Sequence, residues 1–161
     1  IRDIIHKEPK KAYFPYEEIE QEYDELKITE DDKDKLLLVR KSNAFPILNI
    51  IYSLGRRNGL SNMKLEKDKV YDVDHMHPKI AFENQSDMTY DTVVNLELLD
   101  SETNRSKNKQ PLDKWLNGVE EATKNLIIDS HYIKDLPLGI EKFDEFVKGR
   151  KLLLKAVLDK L

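Results

Sequence analysis

The chain has 161 residues, 39% hydrophobic and 36% charged, which is enough for one domain with a core but leaves it polar overall. It has no cysteine, which excludes disulfide frameworks, cysteine nucleophiles and zinc-ribbon sites together. Its formal net charge of −4 speaks against a general nucleic-acid coat protein, and no apolar run approaches the ~20 residues that span a bilayer.

The sequence opens on Ile1 with apolar residues straight away and shows no signal peptide, so the expectation is a cytoplasmic fragment of a longer protein. Residues 1–30 are expected to form a lead-in or helical linker from an upstream domain, and 31–161 the functional domain. Ile19, Tyr23 and Leu26 stand at helical spacing within an acidic segment over 17–27. Thr29 is a candidate N-cap for a helix running through Leu36 to Val39. The apolar run Ile47 to Leu54, with Pro46 before it, predicts a buried helix closed by the glycine turn Gly55 to Gly59. Lys69–Met76 and Val93–Asp100 read as two strands, separated by an irregular stretch over 79–92. Ser101 starts a short helix that Pro111 breaks, and Leu112, Trp115, Leu116 and Val119 form the next one. Phe143, Phe146, Val147, Arg150, Leu154, Val157, Leu158 and Leu161 mark a long amphipathic helix over 140–161. The expected fold class is α+β, mainly helical, with a small two-stranded ββα unit over about 69–109 and further helices over 111–161.

The chemistry concentrates on that unit. Asp74-His75 precedes Pro78, Asn95 follows His75 by 20 residues, and Asn104 comes nine later with Arg105 and Lys107 beyond it. A histidine near its ordinary pKa deprotonates water at neutral pH. A hard cation such as Mg²⁺ keeps waters and takes only one or two protein oxygens, so Asp74 and Asn104 suffice as ligands. Lys107 shares a helix face with Asn104 and is expected to hold a phosphate, with Arg105 beside it. Taken singly, an Asp-His dipeptide is common, Asn95 is a strand-edge residue, Asn104 is a helix cap and the 105–109 stretch is a solvated face; the joint spacing carries the inference. His77 is expected as an exposed histidine beside Pro78, Asp72 as an acid behind the ligands, and His6 and His131 receive no role. Charge along the chain is uneven: residues 15–35 hold ten acids against three lysines, while 101–114 hold four basic residues against two acids.

The DVDH…P, Asn and Asn-Arg-x-Lys pattern resembles the HNH (ββα-metal) nucleases, including the HNH domain of RNA-guided nucleases. The flanks, with Phe45–Leu54 before the motif and Leu112-Asp-Lys-Trp115 and Phe143, Phe146, Arg150 and Leu153 after it, resemble the C-terminal nuclease half of GmrSD-type modification-dependent restriction enzymes. The resemblance covers about residues 30–161, most strongly 72–109. It implies His75 as general base, Asp74 and Asn104 as ligands of Mg²⁺ or Mn²⁺, and Asn95 as the residue that organises the loop behind His75. Because strand neighbours face opposite sides, the strand end must turn for Asp74 and His75 to serve one site. The third letter of HNH is asparagine here, and either side chain can ligate a metal.

The expected function is therefore a metal-dependent DNA endonuclease acting in restriction of foreign or modified phage DNA. The resemblance implies DNA as partner, with an N-terminal ParB-like nucleotide-binding domain in the same or a partner chain. The rival from a different class is a non-catalytic helical interaction module carrying a relic motif. A homing or RNA-guided context for the same chemistry is a third possibility.

Overall fold

A computed structural model of the chain describes residues 28–60, 65–66, 68–82 and 88–160; the acidic segment over 17–27 and the lead-in before it lie outside them. The chain divides into two units, Ile1–Asp32 and Lys33–Leu161. Helix α1 (Glu30–Leu37) is started by a reciprocal cap: Thr29 Oγ1 accepts from the Asp32 N–H at 3.2 Å, and the Asp32 carboxylate accepts from the Thr29 N–H at 3.0 Å. It stops short of Val39 because the chain there turns extended. The Val39 carbonyl accepts from the Val93 N–H, and Arg40 bridges to Thr92.

Helix α2 (Ala44–Arg57) places Pro46 in its first turn, where the missing N–H has no helical partner to lose. It continues two residues past Gly55, which is buried within it. The stop is Gly59, whose φ of +69° glycine adopts without the strain a Cβ would bring. Gly59 N–H bonds the Arg56 carbonyl at 3.2 Å and Leu60 N–H the Gly55 carbonyl at 2.7 Å, closing the helix end.

Strands β1 (Tyr71–His75) and β2 (Leu96–Asp100) pair antiparallel, with Asp74 opposite Glu97 and His75 opposite Leu96. The sequence pattern predicts a second strand from Val93. Residues Val93–Asn95 instead form a tight turn, because the carbonyls of Val93 and Val94 are taken by the Arg150 guanidinium and the Asn95 N–H by Thr92. Directly opposed residues share a face of the pleat. Leu96 and Leu98 therefore point with Val73 into a core shared with Leu48, Ile51, Leu154 and Val157. Asp72, Asp74 and Glu97 point the other way, toward helix α3 (Ser101–Lys107). Asp100 caps α3, accepting from the N–H groups of Glu102 and Thr103, each at 3.1 Å.

Beyond Pro111 come α4 (Leu112–Asn117), α5 (Glu121–Ser130) and α6 (Phe143–Leu158). Helix α5 escaped the sequence reading because it buries only Ile127 and Ser130, too few positions to set up a period. Helix α6 begins at Phe143, after a separate turn over Ile140–Lys142, and buries Phe146, Arg150, Leu154, Val157 and Leu158. A second apolar cluster joins Met76, Trp115, Leu116, Ile133 and Phe146 beneath α4 and α5. The architecture is α+β and mainly helical, with one two-stranded antiparallel sheet among the described residues. Among those residues no helix is long and apolar enough to cross a membrane.

Candidate functional site

Two residues of the sequence motif, Asp74 and His75, meet where β1 ends. Asp74 and His75 lie on opposite faces of the pleat, yet both line one open cleft of about 160 Å³ with Pro78, Lys79, Asn108 and Lys109. The pairing with β2 ends at His75, so a cleft wrapped around the strand end reaches both sides at once. That volume accommodates several waters, enough for a hydrated ion beside a phosphate group. His75 is only 8% exposed, and its opening is into this cleft. Burial pushes its pKa below the ordinary histidine value, with the Asp91 hydrogen bond pulling the other way. At neutral pH the imidazole is held unprotonated and able to accept.

Asn95 ties the surrounding loop together and is fully buried. Its Oδ1 accepts from the His77 N–H at 3.0 Å, while Nδ2 donates to the carbonyls of His77 at 3.0 Å and Tyr90 at 2.8 Å. The backbone adds a bond from the Met76 N–H to the Asn95 carbonyl at 2.8 Å. One side chain thus holds the segment leaving β1 and the turn entering β2. On that turn sits Asp91, whose Oδ1 lies 2.9 Å from His75 Nε2.

Asn104 and Lys107 face the hairpin from α3, one turn apart. The Asn104 amide donates to Asp72 Oδ2 at 3.3 Å, so its direct contact is with Asp72 rather than with Asp74. Lys107 departs from expectation: it is not a phosphate-facing cation. It is 1% exposed, and its ammonium lies 2.6 Å from Asp74 Oδ2, 2.9 Å from Glu97 Oε1, against the His75 carbonyl, and over the Trp115 ring. The pleat explains this, because Asp74 and Glu97 are register partners on the face α3 covers, and their paired charge draws the lysine inward. Burial opposes the ammonium, but Glu97 and Asp74 outweigh it and hold its pKa above the ordinary lysine value. Two solvent-facing cations, Lys79 and Lys109, line the cleft; Arg105 is exposed on α3 but is not among the lining residues.

Behind Lys107 the polar network continues into the core. Neither Glu97 oxygen has a well-directed hydrogen bond, so the carboxylate is held by charge, with His131 Nδ1 at 3.4 Å on its far side. His131 also meets the Tyr52 hydroxyl at 2.9 Å, and burial drives its pKa down to about 4. Arg150, fully buried, donates to the carbonyls of His131, Val93 and Val94 and so fastens the turn that carries Asn95. His77, expected at the surface, is fully buried against Phe143 and Phe146, where its ring fills an apolar position. The sequence reading missed Asp91, Glu97 and His131. Glu97 carried a faint signal, an acid inside the apolar run VVNLELL; Asp91 and His131 carried none.

As a metal position the donors fit a cation that keeps most of its waters. Asp74 Oδ1 and Asn104 Oδ1 accept no hydrogen bond among the described residues, whereas Asp74 Oδ2 is held by Lys107. Among the described residues no three or more His, Asp or Glu side chains group to hold a metal by themselves. Two protein oxygens are what Mg²⁺ or Mn²⁺ would take beside water and phosphate, and Asp74 and Asn104 are the residues that would supply them. No protein-family model matches the chain, and no curated protein matches it.

Proposed function

We propose that this chain is a divalent-metal-dependent endonuclease domain of the HNH type, hydrolysing DNA phosphodiester bonds. The observation that carries the reading is the meeting of His75 and Asp74 in one cleft at the end of β1, with Asn104 on the facing helix and exposed lysines at the rim. His75 takes a proton from water, whose oxygen attacks phosphorus; a new P–O bond forms as one P–O ester bond breaks. A cation held by Asp74 and Asn104 supplies charge relief at the phosphate and the leaving oxygen when bound. Lys79, Lys109 and Arg105 draw the DNA backbone toward the cleft. Lys107 acts from inside, holding Asp74 Oδ2 at 2.6 Å. A role in restricting foreign or modified phage DNA, with a ParB-like nucleotide-binding domain, is supported by the sequence resemblance.

The test is plasmid nicking in Mg²⁺ or Mn²⁺. His75→Ala is expected to abolish nicking while circular dichroism and Mn²⁺ binding stay as in the parent. Nicking by that variant at the parent rate would remove His75 as the base. A parent protein that binds neither Mn²⁺ nor DNA at low salt would favour the non-catalytic module instead.

A further inference from the structure

We propose that Asp91 sets the tautomer of His75, taking the Nε2–H of the imidazole and leaving unprotonated Nδ1 as the nitrogen that meets water in the cleft. The catalytic consequence rests on the nuclease reading; the pairing itself does not. A neutral imidazole donates from one ring nitrogen and accepts at the other, while an ionised carboxylate only accepts. The 2.9 Å contact between Nε2 and Asp91 Oδ1 therefore places the proton on Nε2. Nδ1 has no hydrogen bond among the described residues, and His75 opens into the cleft.

Asp91 is not a mobile surface acid. Its backbone N–H bonds the Met88 carbonyl at 3.0 Å, and the Thr92 hydroxyl bonds the Thr89 carbonyl at 2.8 Å, closing the turn on both sides. The neighbouring Tyr90 ring is stacked on Phe82 with centroids 5.1 Å apart, and its carbonyl is gripped by Asn95. Asn95 also grips both backbone groups of His77, two residues past His75. A single buried amide thus fixes the segments bearing both partners. Once His75 takes the water's proton it is an imidazolium, and the adjacent Asp91 carboxylate stabilises that charge. Asp91 acts through its contact with His75, which makes it a positioning residue.

The experiment uses the full chain with ¹⁵N-labelled histidine, reading the His75 ring nitrogens by long-range ¹H–¹⁵N correlation at a pH where the ring is neutral. The parent is expected to show protonated Nε2. In Asp91→Asn the amide N–H faces Nε2 and moves the proton to Nδ1; in Asp91→Ala the two tautomers mix. Nicking is expected to fall by at least ~100-fold in Asp91→Asn, with Mn²⁺ binding and circular dichroism unchanged. A parent His75 protonated at Nδ1, or variants that keep the parent tautomer, would overturn the proposal. So would full nicking by Asp91→Ala with its tautomer preference gone. If the tautomer follows residue 91 but the parent cuts no DNA, the pairing stands and the nuclease reading falls.

Discussion

Asn95 uses its amide fully: two donated bonds and one accepted, all inside the protein. A residue so engaged acts through what it holds in place, and truncating it leaves a buried N–H and two carbonyls without partners. Unsatisfied buried groups cost more than the bonds contribute when made, so Asn95→Ala is expected to lower stability by about 3 kcal/mol in urea unfolding. It should also slow nicking, because the strand exit and the Asp91 turn lose their common tie. Parent-like stability in that variant would mean that water satisfies the loop without the amide.

Between elements, the contact that matters most is α3 against the hairpin. Lys107 is the only group of α3 seated between Asp74 and Glu97, and it carries the charge that makes a buried glutamate tolerable. Burial alone would raise the Glu97 pKa, yet the cations around it, led by Lys107, hold it below the ordinary glutamate value. Removing one member of such a group strands the others: Lys107→Met is expected to cost about 3–5 kcal/mol. The double variant Lys107→Met with Glu97→Gln should recover part of that loss, since the stranded buried charge goes too and Asp74 can rehydrate at the cleft. Additive unfolding energies in a double-mutant cycle would show that the two side chains do not depend on each other.

Across the whole molecule, burial of neutral histidines makes stability depend on pH. His77 has no partner for either ring nitrogen among the described residues and is pushed down to about 4 by burial. Between its unfolded value near 6.5 and about 4 the unfolded chain binds the extra proton, so its contribution is complete above that window and is lost as pH falls through it. At pH 5 the loss from this residue is about 2 kcal/mol. His77→Leu is expected to remove that share, narrowing the gap between urea midpoints measured at pH 7 and pH 5. An unchanged gap would place the acid sensitivity elsewhere, with His131 the next group to test.

Apart from α5, the order of strands and helices was legible in the sequence, because hydrophobic period, the Thr29 cap and the Pro111 break are local and act within a few residues of where they are read. Spacing likewise put Asp74 and His75 at the end of the first strand and Asn104 on the helix after the second, but not that Asn104 bonds Asp72 rather than Asp74. What lay beyond reach were the partners. Glu97 meets Lys107 and His131, and Arg150 meets the Val93–Asn95 turn, only because α3, α5 and α6 close over the sheet; Asp91 meets His75 because Asn95 ties its turn to the strand exit. A lysine next to a motif reads as exposed in one dimension; whether its charge faces water or two buried carboxylates depends on which face of the pleat the helix covers. That is settled by burying apolar area over the entire core, a sum to which no short stretch of sequence contributes more than a part.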